Sequence, residues 1–340
     1  MITVGIDIGS YSVKCAAAEI KGKERKLIFV GEEPMESGGF SGGSFTNHEI
    51  VFKSLRKVLS NVTLTGSKVV LSIPCCSLLH KATVEYPGTP MKDAMKMIRW
   101  DYIQYLPEGS DTSAVTVAFS GHKSHSDPAT SCVDVYAIPE YLVANYTNLF
   151  ADISVSVNAI DLSTLALERF YGMVAPASGL GIIINVGHEY TEYAIVVDGT
   201  PDYQGFLPIG GSHVAQDISE TLDIPFNDAV AMTRGSFSRD TEGDVHQMVN
   251  EEFFKLAERV VRNLSKVLKE RYRRMAVERC ILAGGVGSSV AFANRIIDRL
   301  DTQALSITSI PGVQMSDRVQ PLASQGLGKY AVAVGLSFYL

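Results

Sequence analysis

With 340 residues, of which 46% are apolar and 20% charged, the chain is neither disordered nor membrane-embedded, and its length suits about two domains. A net charge of −7 argues against a nucleic-acid-binding protein, which would present clustered Lys and Arg, and no apolar run reaches the roughly 18 residues of a membrane helix. Five cysteines without CxxC spacing are expected to be free thiols rather than disulfides or zinc ligands, in a protein that stays in the cytoplasm.

The first predicted element is a strand, a turn and a second strand over residues 4–14, VGIDIGSYSVK. Gly9 lets the backbone approach a ligand closely, and successive N–H groups in such a turn attract phosphate oxygens. Asp7 is placed to hold Mg²⁺ through water, because Mg²⁺ keeps most of its hydration shell. Further donors come from two hydroxyls and one ammonium: Ser10, Ser12 and Lys14. An ordinary hairpin with a turn glycine and a capping aspartate is the alternative for this motif alone.

The rest of the first half alternates strands and helices. Apolar spacing and clusters of Gly, Ser and Pro predict a strand at 26–32, a loop at 34–48, a helix at 49–59 and a strand at 68–74. A mixed insertion follows, with strands at 78–86, 111–119, 131–138 and 155–160 and helices at 91–106 and 140–150. Its polar loop, 121–130, contains His122 and His125. This spacing suits a metal, but without a further ligand nearby we expect a solvated loop.

A second hairpin repeats the first about half a chain later. Residues 182–192, IIINVGHEYTE, place Asn185 where Asp7 stands in the first hairpin, with a glycine two residues further on. A third glycine-rich turn follows an apolar run at 280–289, CILAGGVGSS. Two matching hairpins indicate a duplicated domain with a ligand between the halves.

The other elements of the second half follow the order of the first. Asp161 is expected to cap a helix. The predicted helices are 161–171, 212–221, 225–234, 245–277, 291–300 and 323–339, and the strands are 180–186, 191–198, 201–207, 278–283 and 304–308, with a polar loop at 236–244. Gly210 and Gly211, at a helix start, leave amide N–H groups free to receive an anion. Two similar α/β halves around a cleft are therefore expected.

These motifs, in this order, resemble the actin-like ATPase superfamily and, within it, the PilM family of type IV pilus assembly proteins, relatives of the cell-division protein FtsA. The resemblance rests on DIGSYSVK, on the segments 73–110, 159–169 and 207–229, and on RCILAGG at 279–285. It implies an α/β, ribonuclease H-like duplicated fold with two lobes around a nucleotide cleft. It also implies four subdomains: 1A (1–86, 155–180 and 325–340), the FtsA-type insertion 1C (87–154), 2A (181–222 and 278–324) and 2B (223–277).

The resemblance further implies that ATP and Mg²⁺ bind in the cleft. Asp7 would act on the metal through water, and Asn185 is a second candidate for that role. The residues that would line the phosphate loops and the sugar and base sites are Gly9, Ser10, Tyr11, Ser12, Lys14, Gly187, His188, Glu189, Tyr190, Gly210, Gly211, Gly284, Gly285 and Val286.

The chain departs from the family pattern at positions near the nucleotide. Asn185 replaces an Asp, Val230 and Thr233 stand in place of a Glu and a Lys, and Val286 replaces the third Gly of its turn. A missing carboxylate weakens the positioning of metal and water, and loss of the Glu and Lys removes hydrogen bonds to the nucleotide. We therefore expect weak ATP binding or none, and at most slow hydrolysis.

The function that the resemblance implies is a cytoplasmic scaffold of the type IV pilus machine, and hence of twitching motility. It would bind the N-terminal cytoplasmic peptide of a PilN-like inner-membrane protein in a groove between 1A and 1C. Through that partner it would lie at the inner membrane and couple to the pilus motor ATPases. Whether the chain forms homo-oligomers is left open.

Two other functions are compatible with the same fold. A sugar-kinase-like phosphotransferase is the first alternative, with Asp161 as the only candidate base. A filament former related to FtsA is the second, and it would need a membrane-binding C-terminal helix. Because the chain ends at Leu340 inside its last predicted helix, we do not expect membrane tethering of that kind.

Overall fold

The protein has two lobes, each built on an open sheet, and a small inserted unit. The computed structural model describes residues 1–75, 79–234, 242–273 and 275–339. The strands are β1 (Ile2–Ile8), β2 (Ser12–Lys21), β3 (Glu24–Pro34), β4 (Phe40–Ser41), β5 (Ser44–Phe45), β6 (Lys68–Ile73), β7 (His80–Tyr86), β8 (Val115–Lys123), β9 (Ser131–Pro139), β10 (Ala159–Leu162), β11 (Leu180–Val186), β12 (Thr191–Val197), β13 (Thr200–Leu207), β14 (Val277–Ala283), β15 (Gln303–Ala304) and β16 (Gln314–Met315). The helices are α1 (His48–Leu59), α2 (Met91–Asp101), α3 (Glu140–Ala151), α4 (Ser163–Val174), α5 (Gly211–Leu222), α6 (Phe226–Met232), α7 (Glu242–Arg271), α8 (Val290–Leu300), α9 (Gln320–Ala323) and α10 (Ala331–Ser337).

The two large sheets share one topology. The first has the strand order β10-β6-β1-β2-β3-β16 and the second β15-β14-β11-β12-β13. In each, a three-strand antiparallel meander is joined by a later strand that lies parallel to its first strand, β6 beside β1 and β14 beside β11. The turns correspond too, because Gly9 N–H donates to Ser12 O at 3.1 Å and Gly187 N–H donates to Tyr190 O at 2.9 Å. The predicted duplication is confirmed.

The inserted unit is a separate antiparallel sheet of order β7-β9-β8. A small core joins this sheet to α2 through Val84, Ala94, Ile98, Val133 and Val135. The buried face of α3, by contrast, belongs to the core of the first lobe. The unit is therefore attached to the first lobe through α3 while keeping a core of its own.

Helix α10 packs directly on the first sheet because two glycines remove the side chains between them. A Cβ on Gly5 of β1 would lie 2.6 Å from Leu336 Cβ, and one on Gly335 of α10 would overlap the carbonyl of Ala166 in α4. Every residue of α10 is buried, as expected of a helix that is apolar on all sides.

Several predicted boundaries are wrong. The expected last helix at 323–339 is split into α9, a 3₁₀ turn at Leu327–Tyr330 and α10, because Gly326 has a φ of 108° that a helix cannot continue. The helix expected at 245–277 ends at Arg271, and the one at 91–106 becomes a 3₁₀ turn after Asp101. The strand expected at 304–308 is reduced to β15. The start of the strand at 78–86 and most of the loop at 236–244 lie outside the described residues.

The subdomain ranges stay a prediction, and two pairings bear on where their limits would fall. β16 lies in the range given to 2A but pairs with β3 in the first sheet. β7 lies in the range given to 1A but pairs with β9 of the inserted unit. Of the cysteines, Cys15, Cys132 and Cys280 are free thiols, and Cys76 lies outside the described residues. Within the described ranges, none of the helices combines the length and apolar character that crossing a bilayer requires.

Candidate functional site

A cleft of about 650 Å³ lies between the two lobes, within the range of roughly 300–1,000 Å³ typical of small-molecule sites. The two hairpin turns face each other across it, since the rings of Tyr11 and His188 are 5.7 Å apart between centroids. The third glycine turn, after β14, also lines the cleft. The predicted site residues that line the cleft are Asp7, Gly9, Ser10, Tyr11, Ser12, Lys14, Asn185, Gly187, His188, Tyr190, Gly211, Gly284, Gly285 and Val286.

Gly210 and Glu189 are not among the residues that line the cleft. A Cβ on Gly210 would come within 2.6 Å of His188 O, so the glycine allows α5 to start directly against the second turn. Glu189 Oε2 accepts a hydrogen bond from Gly42 N–H at 2.8 Å. Because Gly42 belongs to the first lobe, Glu189 links the lobes at the rim of the cleft rather than lining its interior.

Asp7 lies at the inner end of β1, in register with Lys14 on β2. Burial raises the pKa of the Asp7 carboxyl, while the ammonium of Lys14 and a hydrogen bond donated by Ser72 Oγ at 3.3 Å oppose that rise. A carboxylate held this way has oxygen atoms available to the cleft, which is what an oxygen-seeking cation such as Mg²⁺ requires.

Glu32 on β3 is a second acidic group of the cleft, and the sequence analysis did not identify it. Burial alone would raise the pKa of Glu32, but Lys14, Lys329 and Ser12 together lower it. Ser12 Oγ donates to Glu32 Oε1 at 2.6 Å, and Lys329 forms an ion pair with the same carboxylate. The charge of Lys14 is therefore shared between two carboxylates.

Glu192 on β12 is the second carboxylate of the cleft that the sequence analysis missed. It is in register with Asn185, whose Nδ2 donates to Glu192 Oε2 at 3.1 Å. Its other oxygen accepts hydrogen bonds from two groups of the first lobe, Cys75 N–H at 2.8 Å and Ser163 Oγ. Burial, followed by the nearby charge of Asp7, raises the pKa of Glu192 to about 7 although these donors oppose the rise. Glu192 thus bridges the lobes at the floor of the cleft.

Arg234 brings a further cation into the cleft from the second lobe. It follows α6 and its guanidinium carbon lies 3.3 Å from the centroid of the Tyr11 ring. The preceding helix indeed offers no charge at Val230 and Thr233, whose hydroxyl donates to the Val230 carbonyl. The positive charge that this segment brings to the cleft is that of Arg234, the residue after Thr233.

The third turn is shaped by Gly284 and Val286. Gly284 has a φ of 81°, and a Cβ there would overlap Val186 O, so this position requires glycine. Val286 is buried in the core of the second lobe, and its Cγ2 would be 2.9 Å from a Cβ on Gly211. The valine therefore fills the space beside the start of α5 and narrows this end of the cleft.

Asp161 does not cap a helix, and that prediction is wrong. It lies in β10, and α4 begins two residues later with Leu162 at its N-cap position. Its carboxylate accepts from Leu162 N–H at 2.9 Å and pairs with Arg169 at 2.9 Å. Asp161 is not among the residues that line the cleft, so it is not placed as a base toward a ligand there.

A second polar cluster joins the inserted unit to both lobes around a cavity of about 180 Å³. Tyr136 Oη donates to Gln204 Oε1 at 2.9 Å, and Gln204 Nε2 donates to Glu168 Oε1 at 2.7 Å. His122 belongs to this cluster, with Nε2 3.8 Å from Asp134 Oδ2. It lies on β8 rather than on a solvated loop, because the strand extends to Lys123; for His122 the loop interpretation is wrong.

Comparison with known proteins identifies the fold. The sequence profile described as "Type IV pilus assembly protein PilM" matches residues 5–339, and no curated protein sequence matches the chain. A solved PilM–PilN type IV pilus biogenesis complex contains a similar chain, with 16% identity, a TM-score of 0.77 and coverage of 98% of this chain and 97% of that one.

Two further structures are similar over nearly the whole chain. The ethanolamine utilization protein EutJ from Carboxydothermus hydrogenoformans has 14% identity, a TM-score of 0.56 and coverage of 100% of this chain and 90% of that one. MreB 5 of Spiroplasma citri bound to AMPPNP has 12% identity, a TM-score of 0.52 and coverage of 98% and 94%. The protein therefore has the actin-like fold that the sequence predicted, with a cleft between duplicated lobes.

Proposed function

Because the chain belongs to the family of the type IV pilus assembly protein PilM, we propose that it is an actin-like scaffold of such a machine, binding a PilN-like peptide and Mg·ATP. The observation that carries the proposal is the family match over residues 5–339. A protein of the same fold has been solved as a PilM–PilN complex, which supports a PilN-like protein as the partner.

The cleft supports a nucleotide as its ligand. Three glycine turns meet there, and turns of this type present backbone N–H groups to phosphate oxygens. Lys14 and Arg234 add positive charge. MreB 5, which shares the fold, was solved bound to AMPPNP.

The residues at the cleft floor fit a magnesium ion. Mg²⁺ prefers oxygen ligands and usually keeps several waters, and Asp7 and Asn185 offer one carboxylate and one amide oxygen at the ends of β1 and β11. When bound, the ion would neutralise charge on the phosphates. Asn185 contributes no charge, and Glu192 is engaged by three donors. We therefore infer slow hydrolysis, because of these three residues only Asp7 would offer a carboxylate to metal-bound water.

Phosphotransfer to a sugar is less well supported than scaffolding. A sugar kinase needs a carboxylate base at the substrate, and the only candidate from the sequence, Asp161, is paired with Arg169. We propose no second function.

Calorimetric titration with Mg·ATP tests the nucleotide part of the proposal. We expect a dissociation constant in the micromolar range, and heat of binding that falls when Asp7→Asn removes the carboxylate for the metal. Asp161→Asn, outside the cleft, is the matched control and should leave binding unchanged. No binding of ATP or ADP by the wild-type protein would refute this part.

The inserted unit supports peptide docking through exposed apolar side chains. Met97, Trp100 and Ile103 on α2 and the following turn are exposed, Trp100 by 85%. Large apolar groups exposed together mark interaction sites more often than isolated ones. We infer that a PilN-like peptide covers this face where it borders the first lobe.

The only tryptophan of the chain makes this docking measurable. Adding the N-terminal cytoplasmic peptide of a PilN-like protein should shift Trp100 fluorescence to shorter wavelength as water is excluded. Ile103→Ser should weaken binding about tenfold or more, whereas Phe254→Ser, which changes an exposed apolar residue of α7, should not. Binding without any change at Trp100 would place the peptide on another face, and no binding at all would refute the scaffold proposal.

A further inference from the structure

Arg234 forms no salt bridge with a carboxylate among the described residues, and the charge of Glu32 acts on it without direct contact. Lys329 is ion-paired with Glu32, and the charge of Lys14 acts on both Asp7 and Glu32. The interaction that Arg234 makes is with the Tyr11 ring, at 3.3 Å between the guanidinium carbon and the centroid. Its side chain is accessible to solvent within the cleft.

The guanidinium lies where the three glycine turns meet. Tyr11 is part of the first turn, and its ring is 5.7 Å from that of His188 in the second. In the third turn, a Cβ on Gly285 would be 3.9 Å from both terminal nitrogens of Arg234. The cation therefore lies beside the first and third turns, and the ring of Tyr11 connects it to the second.

The stacked geometry leaves the hydrogen-bonding edge of the guanidinium available. Stacking on an aromatic ring uses the flat face of the group, whereas its N–H groups point outward in the plane. Those N–H groups match two oxygens of a phosphate in a bidentate arrangement. An anion in the cleft can thus engage Arg234 without first breaking a salt bridge.

We propose that Arg234 is the residue by which this cleft recognises a polyphosphate, supplying the cation that the helix before it lacks. The proposal deepens the nucleotide part of the proposed function and rests on it for the nucleoside, but not for the phosphates. It assigns the affinity of the site to the charged end of the ligand, so that ligands without phosphates gain nothing from this residue.

Calorimetric titrations of the full-length protein with Mg·ATP, adenosine and inorganic tripolyphosphate test this assignment. Arg234→Gln should weaken Mg·ATP and tripolyphosphate by about tenfold or more, the size of a lost charge-assisted hydrogen bond, and Arg234→Lys should restore part of the loss. Adenosine should bind the wild type and Arg234→Gln equally. Arg271→Gln, which removes a similar stacked guanidinium over Tyr203 outside the cleft, should change none of these values.

The outcomes separate this inference from the nucleotide proposal. If Arg234→Gln weakens adenosine as much as Mg·ATP, or weakens nothing, the assignment is overturned while nucleotide binding stands. If the wild type binds tripolyphosphate through Arg234 but not ATP, the assignment stands and the nucleotide proposal fails. If the wild type binds neither probe, both are overturned.

Discussion

Replacing Glu192 by Gln should change how the stability of this protein depends on pH. The side chain is 1% exposed and is held between the lobes by Cys75 N–H, Ser163 Oγ and Asn185 Nδ2. Glutamine has the same shape and keeps one oxygen for the two donors of the first lobe, and rotation of the Asn185 amide can supply an acceptor for its new N–H group. The substitution therefore removes the ionisation while preserving most of the packing.

The magnitude follows from the pKa of the buried carboxyl. Burial, and next the charge of Asp7, raise the pKa of Glu192 from 4.5 to about 7. The folded state thus holds a proton that the unfolded chain releases at lower pH, so the resulting stability is present below pH 4.5 and is lost as pH rises through about 7. At about 1.4 kcal/mol per pH unit, the loss over this interval is on the order of 3 kcal/mol. Glu192→Gln has no ionisable group at this position, so its stability should not fall in this way as pH rises.

Urea unfolding followed by circular dichroism between pH 5 and pH 8 measures the difference. We expect the stability of Glu192→Gln, relative to wild type, to increase across this range by about 2 to 3 kcal/mol, because a small part of the effect already falls below pH 5. Glu36→Gln, at an exposed carboxylate paired with Lys53, is the control and should follow the wild-type curve. Parallel curves for the wild type and Glu192→Gln would show that Glu192 is ionised throughout and would contradict the reasoning.

Two further substitutions test the packing around the cleft and the inserted unit. Gly284→Ala should lower stability by more than about 1 kcal/mol, because it combines a φ of 81° with overlap of Val186 O; Gly22→Ala, with a φ of 61° and open space around it, should cost less, and equal shifts in melting temperature would contradict this. Glu168→Gln should flatten the pH dependence of stability between about pH 5 and 7, since burial raises the pKa of Glu168 to about 7 and its stability contribution is lost as pH rises. Unchanged unfolding curves at pH 5 and pH 8 for Glu168→Gln would show that Gln204 holds an ionised group there.

The sequence predicted what depends on local pattern. The strand period and the glycine spacing of the two hairpins reveal the duplication. They can do so because each turn is a local structure, closed by a hydrogen bond between residues three apart. Asp161 was misplaced for a related reason, since a helix start within two residues of an aspartate looks like a cap until Arg169 is seen to hold the carboxylate.

Residues whose role comes from long-range contacts could not be found in this way. Glu192 meets Cys75 from 117 residues away, and Arg234 meets Tyr11 across the cleft. One signal for Glu192 was present: it is a charged residue in an otherwise mostly apolar strand, seven positions after Asn185, as Lys14 is seven positions after Asp7. For Arg234 no comparable repeat exists, because the element that carries it has no counterpart in the first lobe.

The duplicated hairpins have the same backbone but carry different charged residues at corresponding positions. This difference explains why only the first hairpin offers a carboxylate to a ligand in the cleft. In the first lobe the cross-strand pair is an acid with a base, Asp7 with Lys14; in the second it is an amide with an acid, Asn185 with Glu192. The acid of the second pair is satisfied by donors of the opposite lobe, so it holds the lobes together instead of facing a ligand. Glu192 therefore contributes to the contact between the lobes, and the carboxylate that its hairpin could offer to a ligand is already occupied by these donors.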